Sequence, residues 1–347
     1  MIADKVVATK NHRIVVTRHG GPEVLQMVME PLPEPQAGEV RLRVLAAGVS
    51  AYDLMHRSSG VLPGTLKPPF TLGEDVVGVV DKPGSGVTNP PPGQMVAGAT
   101  FKLGLGGGYS EYLCLPATEV VSVPDGVDPA TAVCVVVNYL TAHMAMHRVA
   151  GVQRGERVLI HGAAGGVGSA LLELGRLAGL EMFGTASRYN HERVAALGAT
   201  PIDYHTEDFV QRIRDLTGSG VDGVFDPIGG FSQLWRSRRA LRRHRTRRDG
   251  RFGVAAAKQS GLKVIPQTLL MVALLKLLPG KQLLLTPDLS KENDWYRNTL
   301  AELLDLLATG QINPLVAARI PLTEAARAHE LLERGGYAGK VVLVPNP

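Results

Sequence analysis

The small residues of "HGAAGGVG", which follow the apolar run Val158 to Ile160, are the strongest candidates for chemistry in this chain. Ala163, Gly165 and Gly168 stand at the three small positions of a G-x-G-x-x-G fingerprint, with alanine in the first. Such a turn is tight, lets the backbone approach a pyrophosphate, and lets the next helix pack closely on the strand. The helix N-terminus also offers free N–H groups to phosphates. Rather than a glycine-rich turn that binds nothing, we predict a dinucleotide site that includes Ala163, Gly165, Gly166, Val167 and Gly168.

The end of the next predicted strand, "EMFGTAS", indicates which dinucleotide is bound. An NAD site usually has an acidic residue there, about twenty residues after the turn, that binds the ribose hydroxyls. This chain has Ser187 and Arg188 instead. An acid would repel a 2′-phosphate, whereas a hydroxyl and a guanidinium bind one. The pair predicts NADP(H), and a solvated loop arginine is the alternative interpretation of Arg188.

Composition and charge describe an ordinary globular protein of 347 residues, 45% of them hydrophobic and 20% charged. The net charge of +5 arises in one stretch, "RSRRALRRHRTRRDGR" from Arg236 to Arg251, which has nine arginines and one acid. Because the rest of the chain sums to −3, the protein as a whole is not basic. The two cysteines, Cys114 and Cys134, exclude a disulfide framework and a cysteine-rich metal site.

The elements that position the glycine turn change character along the chain. Up to about residue 135, short β-like runs such as "EVRLRVLAAGVS" and "DVVGVVDKPGSG" are broken by Gly and Pro, which predicts an antiparallel, barrel-like β domain. Strand-like and helix-like stretches then alternate, which predicts a parallel sheet with crossover helices. A helical segment follows Asp288, and a strand, a helix and a strand end the chain. We therefore predict an α/β protein with a catalytic domain at 1–136 and 288–347 and a cofactor domain at 137–287.

The location of the protein is predicted from its apolar segments. The stretch "MIADKVVATKNHRIVV" lacks the basic and apolar runs and the cleavage site of a signal peptide. The most apolar segment, Thr268 to Leu278, is too short to span a membrane and is followed by Pro279 and Gly280. We expect a soluble, cytoplasmic protein without a membrane span.

The β domain, the "AAGGVG" turn, "TASR" and "VFDPIGG" together resemble the medium-chain dehydrogenase/reductase superfamily. Within it they resemble the zinc-free quinone oxidoreductase branch, which is zeta-crystallin-like and includes enoyl reductases. Further matching pieces, in order, are "GPEVLQ", "AAGVSAYDLMHRSSG", "LGEDVVGVV", "GGYSEYLCLP" and the late "AGKVVLVP". The resemblance runs nearly end to end. It implies a GroES-like β-barrel catalytic domain, a Rossmann domain that binds NADP(H), and a homodimer paired through the Rossmann sheet.

Zinc is tested by the positions that bind it in the zinc alcohol dehydrogenases of the superfamily. The Cys ligand falls on Ser50, the His ligand on Glu74 of "GED", and a third ligand near Val137. Ser50 and Val137 are not good zinc ligands, and one carboxylate does not make a site. The structural zinc lobe needs four clustered cysteines, and only Cys114 lies in that region. We expect no zinc.

Without a metal, the resemblance implies hydride transfer assisted by hydrogen bonds. The acceptor would be a small apolar quinone, or the β-carbon of an enone, enal or enoyl thioester, and the resulting oxyanion needs stabilisation and a proton. Tyr52 aligns with the hydroxyl residue that relays protons in the zinc enzymes, so it is the candidate donor, or else a residue that only lines the pocket. Asp53 fits an almost universal aspartate that anchors the loop. Ser50 stands where many relatives have Asn, which leaves its role open.

Other cofactor contacts follow from position in the family, with a packing or backbone role as the alternative for each. Some precede the first Rossmann strand, one lies at the adenosine end, two lie on loops beside the nicotinamide, and one lies near the diphosphate. In that order they are Asn138 and Thr141, Tyr204, Gly229 and Gly253, and Lys340. The apolar segment beginning at Thr268 would cover the cleft or form part of the subunit interface.

Two alternatives of other classes remain. The first is RNA binding through the arginine stretch, because some zeta-crystallin-like relatives bind single-stranded RNA and arginines would contact its phosphates. Against it, the stretch has no aromatic residue to stack on bases, and the rest of the chain is acidic. The second is an NADPH-binding regulator without turnover.

The arginine stretch also lies where the family has a buried strand. In "HRTRRDGR" there is no apolar residue to bury in the centre of a parallel sheet. Either the segment loops out and leaves the sheet one strand short, or the recorded translation contains a short compensated frameshift, since glycine codons of GC-rich genes become arginine codons when shifted by one base. We favour the frameshift.

Overall fold

The computed structural model describes residues 9–58, 66–100, 106–228, 231–242, 251–254, 282–285 and 293–345. Three sequence predictions concern residues outside these ranges. They are the cofactor contact of Gly229, the covering role of residues 268–278, and the conformation of residues 243–250.

The described strands fall into three sheets. In chain order they are β1 (Lys10–Val16), β2 (Leu25–Pro31), β3 (Glu39–Val49), β4 (Asp75–Pro83), β5 (Met95–Ala99), β6 (Tyr112–Pro116), β7 (Val120–Ser122), β8 (Arg157–Ile160), β9 (Glu181–Ala186), β10 (Ala199–Asp203), β11 (Gly223–Asp226), β12 (Arg251–Val254), β13 (Gln282–Leu285), β14 (Val316–Pro321) and β15 (Lys340–Val344).

Most of the described helices follow β7 in the chain. They are α1 (Ala51–Ser58), α2 (Pro129–Ala150), α3 (Gly166–Leu177), α4 (His191–Ala196), α5 (Phe209–Thr217), α6 (Phe231–Ala240), α7 (Asn293–Ala308) and α8 (Ala325–Arg334). Single 3₁₀ turns occur at Pro22–Val24, Ala117–Glu119, Arg188–Asn190 and Leu322–Glu324.

The first part of the chain forms a hairpin of β1 and β2 and a mostly antiparallel sheet of seven strands. The order in this sheet is β14-β15-β3-β4-β5-β7, and β6 pairs with β3. Alternation of side chains explains the burial of β3, where Leu42 and Val44 are buried and Arg43 is exposed. The predicted antiparallel β domain is therefore confirmed, and β14 and β15 join it from the far end of the sequence.

The second half of the chain forms a parallel sheet in the order β10-β9-β8-β11-β12-β13. Val158 and Ile160 of β8 face one core and Leu159 faces another, so helices cover both sides of the strand. This is the strand order of a Rossmann sheet. Its strands are parallel, but the order in which they follow one another reverses between the first and the fourth strand. Ligands of such sheets bind outside the carboxyl ends of the strands at that point, which here lies between β8 and β11.

Helix α2 connects the two halves and is unusually apolar. Asp128 caps its first turn by accepting a hydrogen bond of 2.9 Å from the Thr131 backbone N–H. Its backbone widens into π-helical turns at Val135–Tyr139 and Met144–Ala150. By length and composition α2 could cross a membrane, but 72% of its apolar window is buried inside the protein. Among the described residues no other helix meets that criterion.

The sheet topology corrects one alternative for the arginine stretch. The parallel sheet is not one strand short, because Arg251–Val254 forms β12 between β11 and β13, with Gly223 opposite Arg251. At the described start of the stretch, Arg236 lies 3.2 Å from Asp208, and Arg242 forms an ion pair with Asp222. These two arginines are thus paired with acids of the Rossmann sheet and its helices. The proposed boundaries of the two domains, at residues 136 and 288, stay a prediction.

The frameshift hypothesis makes a prediction about the gene. We expect the codons for residues 243–250, translated in one of the other two frames, to encode a Gly-Gly turn followed by apolar residues. Sequencing of this interval in the genomic DNA is the measurement. If neither alternative frame gives such a turn and strand, the arginines are genuine and the hypothesis is wrong.

Candidate active site

The glycine turn between β8 and α3 is shaped for close approach. Gly162 has a left-handed backbone with φ of +59°, and its carbonyl accepts a hydrogen bond of 2.9 Å from the Gly165 N–H. A Cβ at Gly168 would lie 2.2 Å from the Gly162 carbonyl oxygen, so only glycine lets α3 pack this tightly. A Cβ at Gly165 would meet, among the described residues, just that oxygen at 3.3 Å. One face of the turn is therefore closed by packing, whereas a Cβ on the other face, at Gly165, would meet little.

Other residues predicted for the cofactor site lie in or beside the turn. Ala163 is fully buried, and its N–H donates to the Thr185 carbonyl at 3.0 Å. Val167 packs partly buried against the core of the Rossmann sheet. The Asn138 side chain lies over Gly166, where a Cβ would approach its Nδ2 to 2.4 Å. Thr141, one helical turn further along α2, is partly exposed.

The carboxyl ends of β9 and β10 bring together the residues predicted for the adenosine end. Ala186 is opposite Asp203 in the parallel register, so Ser187 and Tyr204 follow neighbouring strand ends. Arg188 is exposed at the start of a 3₁₀ turn, and Tyr204 is 54% exposed. The Tyr204 ring stacks on His205 with centroids 4.2 Å apart. The described backbone of Gly253 pairs with Phe225 of β11, near the reversal point of the sheet.

A second contact joins the glycine turn to the other sheet. Gly339 forms a parallel bridge with Gly165, and its N–H donates to the Ala164 carbonyl at 3.2 Å. The next residue, Lys340, does not extend its side chain to the turn. Its Nζ is buried and lies 2.6 Å from Asp75 Oδ2 of β4. Sequence reasoning placed Lys340 near the diphosphate, and that contact stays a prediction; the structure places Gly339 beside the glycine turn and the Lys340 side chain on Asp75.

The predicted catalytic residues Ser50 and Asp53 form one hydrogen-bonded unit at the start of α1. Asp53 Oδ2 accepts from the Ser50 N–H at 2.7 Å and from the Ser50 hydroxyl at 2.8 Å. Asp53 Oδ1 accepts from the Gly73 N–H at 2.9 Å. The anchoring role predicted for Asp53 agrees with these contacts, because they tie α1 to the loop before β4.

Glu74 completes a group of three carboxyls around Ser50. Its Oε2 lies 3.4 Å from the Ser50 hydroxyl oxygen, and Asp75 follows it in the chain. Burial raises the pKa of Glu74 to about 8, with the negative charges of Asp53 and Asp75 acting in the same direction. Burial also raises the pKa of Asp53 to about 6, although its hydrogen bonds act against this. The pKa values of both carboxyls are therefore raised, and that of Glu74 is raised further.

Tyr52 lies on α1 beside this group. It is 41% exposed, and its ring lies 6.4 Å from that of His56, measured between centroids. Burial raises its pKa, and the charge of Glu74 raises it further. The phenol therefore keeps its hydrogen at neutral pH and can donate a hydrogen bond.

Three buried polar side chains, Arg57, His329 and Tyr109, are hydrogen-bonded in series near Asp53. Arg57 Nη1 donates to His329 Nδ1 at 3.0 Å, and His329 Nε2 lies 3.1 Å from the Tyr109 hydroxyl. Since arginine can only donate, Nε2 must hold the histidine's hydrogen and donate it to Tyr109. Burial and Arg57 lower the pKa of His329 to about 3, so the ring is neutral. Burial and the nearby charge of Asp53 raise the pKa of the Tyr109 phenol, so it keeps its hydrogen at neutral pH.

Sequence reasoning missed Tyr109, His329 and Arg57 and considered Glu74 only as a replaced zinc ligand. Arg57 and His329 are 272 positions apart and come together only when α1 packs on α8. No local pattern could have paired them. The raised pKa of Glu74 was open to sequence reasoning only in part, since adjacent acids in "GED" show the repulsion but not the burial.

Comparisons with known proteins place this geometry in a family. Residues 36–125 match the model of the alcohol dehydrogenase GroES-like domain, and residues 197–343 match a zinc-binding dehydrogenase model. The chain is 32% identical to a quinone oxidoreductase of Pseudomonas aeruginosa, over 96% of this chain and 99% of that protein. It belongs to the medium-chain dehydrogenase/reductase superfamily. Within the superfamily it is a member of the quinone oxidoreductase branch.

Other relatives of this chain have different names. A 2-haloacrylate reductase of Burkholderia is 30% identical over 95% of this chain and 98% of that protein. The human synaptic vesicle membrane protein VAT-1 homolog is 31% identical over 96% of this chain and 86% of that protein. A mycobacterial protein solved with NADPH has a TM-score of 0.82 at 32% identity, covering 96% of this chain and all of that one.

The zinc of other superfamily members does not fit the residues of this chain. The Ser50 hydroxyl, at one ligand position, is held by Asp53 at 2.8 Å. Val137, at another, has no donor atom in its side chain. Within the described ranges no three His, Cys, Asp or Glu side chains are grouped for a metal ion. Glu74 alone remains, and it is better described as part of a hydrogen-bonded carboxyl group.

The glycine turn yields a pair of matched substitutions. Gly168→Ala should lower the free energy of unfolding by roughly 1–3 kcal/mol, because the new methyl overlaps the Gly162 carbonyl. Gly165→Ala should change that free energy by less and weaken NADPH binding at least tenfold, because its methyl occupies the free face. Urea denaturation and fluorescence titration with NADPH measure the two effects. Equal loss of affinity and stability in both variants would show that the turn has no phosphate-binding face.

Proposed function

We propose that this protein is an NADPH-dependent reductase that transfers hydride to a quinone or to an activated C=C bond without zinc. The observation that supports it best is the bridge between Gly165 and Gly339. Gly339 precedes Lys340, whose partner Asp75 adjoins Glu74, so the glycine turn and the carboxyl group are linked through the start of β15. This link supports a nucleotide site and a proton donor that act on one substrate.

The turn and its neighbours fit a dinucleotide. The free face at Gly165 and the N-terminus of α3 would bind the pyrophosphate, and Asn138 and Thr141 would lie toward the nicotinamide. Ser187, Arg188 and Tyr204 would bind the adenosine end and its 2′-phosphate. The bound nicotinamide, in its reduced form, supplies the hydride.

The side chains around the substrate would manage charge and protons. Reduction places negative charge on the quinone or carbonyl oxygen, which hydrogen-bond donors must stabilise. Tyr52 is the proposed donor to this oxygen, because it is the exposed hydroxyl of the group and keeps its hydrogen. Ser50 and Asp53 hold the start of α1 in place, and Tyr52, exposed on that helix, would face the substrate.

The identity of the hydride acceptor distinguishes the reactions that this protein could catalyse. The relatives include a quinone oxidoreductase and a 2-haloacrylate reductase, so both acceptor classes occur at about 30% identity. An enoyl thioester is the third candidate. A small apolar acceptor has no charged group that the protein would need to bind, and we propose acceptors of this kind. Pairing into a homodimer through the edge strand β13 and a cytoplasmic location are further parts of this proposal.

The function is tested by NADPH oxidation, followed with quinones, 2-alkenals and enoyl-CoA thioesters side by side. We expect turnover with quinones or 2-alkenals that is unaffected by chelators, because no set of side chains among the described residues fits zinc. Tight NADPH binding without oxidation of any acceptor would contradict an enzymatic role and favour an NADPH-binding regulator.

The preference for NADPH is tested at Arg188. Arg188→Ala should raise KM for NADPH roughly 10- to 100-fold, because it removes a charged hydrogen-bond donor to the 2′-phosphate. KM for NADH should change little, because NADH has no such group. Arg154→Ala is the matched control, since Arg154 is an exposed arginine that precedes β8 at the opposite end of the strand. NADH used as well as NADPH by the unmodified protein would overturn the preference.

A further inference from the structure

Glu74 differs from the two carboxyls beside it in its access to the cleft. Asp53 is 1% exposed and Asp75 is fully buried, whereas Glu74 remains partly exposed. Its position is rigidly held, because the Gly73 N–H before it donates to Asp53 and a Cβ at Gly73 would clash with Gly108 and Tyr109. Of the three carboxyls, Glu74 is the one that a bound substrate can reach.

The hydrogen bonds around Ser50 fix where the protons are. The Ser50 hydroxyl has one hydrogen, and two carboxyl oxygens compete for it, Asp53 Oδ2 at 2.8 Å and Glu74 Oε2 at 3.4 Å. Asp53 already accepts from two backbone N–H groups and faces the Tyr109 hydroxyl, an arrangement that stabilises its ionised form. The hydroxyl therefore donates to Asp53. A hydrogen bond between Ser50 and Glu74 then requires the hydrogen to come from Glu74.

The charges that face Glu74 lead to the same result. From α1 it faces the carboxylate of Asp53 and the phenol of Tyr52, and from the chain before β6 the phenol of Tyr109. The cation that acts on it is Lys340 of β15, which is paired with Asp75 at 2.6 Å. With Lys340 balanced by Asp75, an ionised Glu74 beside an ionised Asp53 would place a second negative charge in a buried site. Holding one proton on Glu74 avoids that cost.

We propose that Glu74 is the general acid of this enzyme and that it gives its proton to the reduced substrate. This inference rests on the proposed reductase function and names the group that completes it. Hydride addition to the acceptor leaves an extra electron pair on its oxygen or α-carbon. That pair forms a bond to the Glu74 hydrogen while the Oε2–H bond breaks and its electrons remain on the carboxylate. Water at the cleft returns a proton to Glu74, and Tyr52 serves as the hydrogen-bond donor rather than the acid.

The proton on Glu74 can be observed without turnover. Infrared spectra distinguish the C=O band of a carboxylic acid from that of a carboxylate. In the unmodified protein with NADPH bound, we expect one carboxylic acid band at neutral pH that disappears as the pH rises through about 8. The band should be absent in Glu74→Gln and present in Asp53→Asn. Glu34→Gln is the matched control, because Lys82 lowers the pKa of the exposed Glu34 and keeps it ionised.

Two infrared results would overturn the proposal. One is an unmodified protein without a carboxylic acid band at neutral pH, a result that does not depend on any variant folding. The other is a band that persists in Glu74→Gln and vanishes in Asp53→Asn, which would assign the proton to Asp53.

Kinetics provides the second readout. A general acid acts in its protonated form, so kcat should fall as the pH rises through about 8 in the unmodified protein. Glu74→Gln should lower kcat roughly 100-fold or more and remove this alkaline limb, while KM for NADPH stays the same. Glu74→Asp should restore part of kcat and a pH-dependent limb. Full activity with an unchanged pH profile in Glu74→Gln would contradict the acid role alone, whereas an unmodified protein that reduces no acceptor would contradict the reductase function.

Discussion

The buried ion pair between Lys340 and Asp75 is the contact on which the rest of the site depends. Its atoms are 2.6 Å apart, and both side chains are almost fully removed from water. Breaking such a pair from one side leaves an uncompensated buried charge and costs roughly 3–5 kcal/mol. Gly48 of β3 makes room for it, since a Cβ there would lie 2.1 Å from the Lys340 side chain and 2.3 Å from Asp75. The pair therefore joins β4 to β15 across β3, which lies between them in the sheet.

The same ion pair determines which of the neighbouring carboxyls is protonated. Because Lys340 is balanced by Asp75, the remaining carboxyls must divide one negative charge between them. Asp53 takes it, since three hydrogen bonds from Ser50 and Gly73 stabilise its ionised form. Glu74 keeps the hydrogen. Zinc enzymes of the superfamily use the position of Glu74 to hold a cation, whereas this chain uses it to hold a proton.

Much of the cofactor half could be predicted from the sequence because its determinants are local. The glycine turn and the absence of an acid at Ser187 and Arg188 are short motifs that carry their own geometry. Strand β12 could not be predicted, because burial in a parallel sheet normally requires an apolar run and Arg251 begins this strand. The chain of Arg57, His329 and Tyr109 also escaped, since it forms only when distant segments pack together. Asp53 was predicted as an anchor, but the group it anchors depends on tertiary burial.

The bridge between Gly165 and Gly339 also has a consequence for biosynthesis. A ribosome makes the glycine turn, α3 and the parallel strands well before residues 339 to 344. Yet β15 supplies the bridge to that turn, the lysine that neutralises Asp75, and a neighbour for β3. A nascent chain that has already formed its nucleotide-binding turn therefore still has an unbalanced aspartate and an open cleft. Assembly of the site therefore waits for β15, so the protein cannot become active before this strand has been translated.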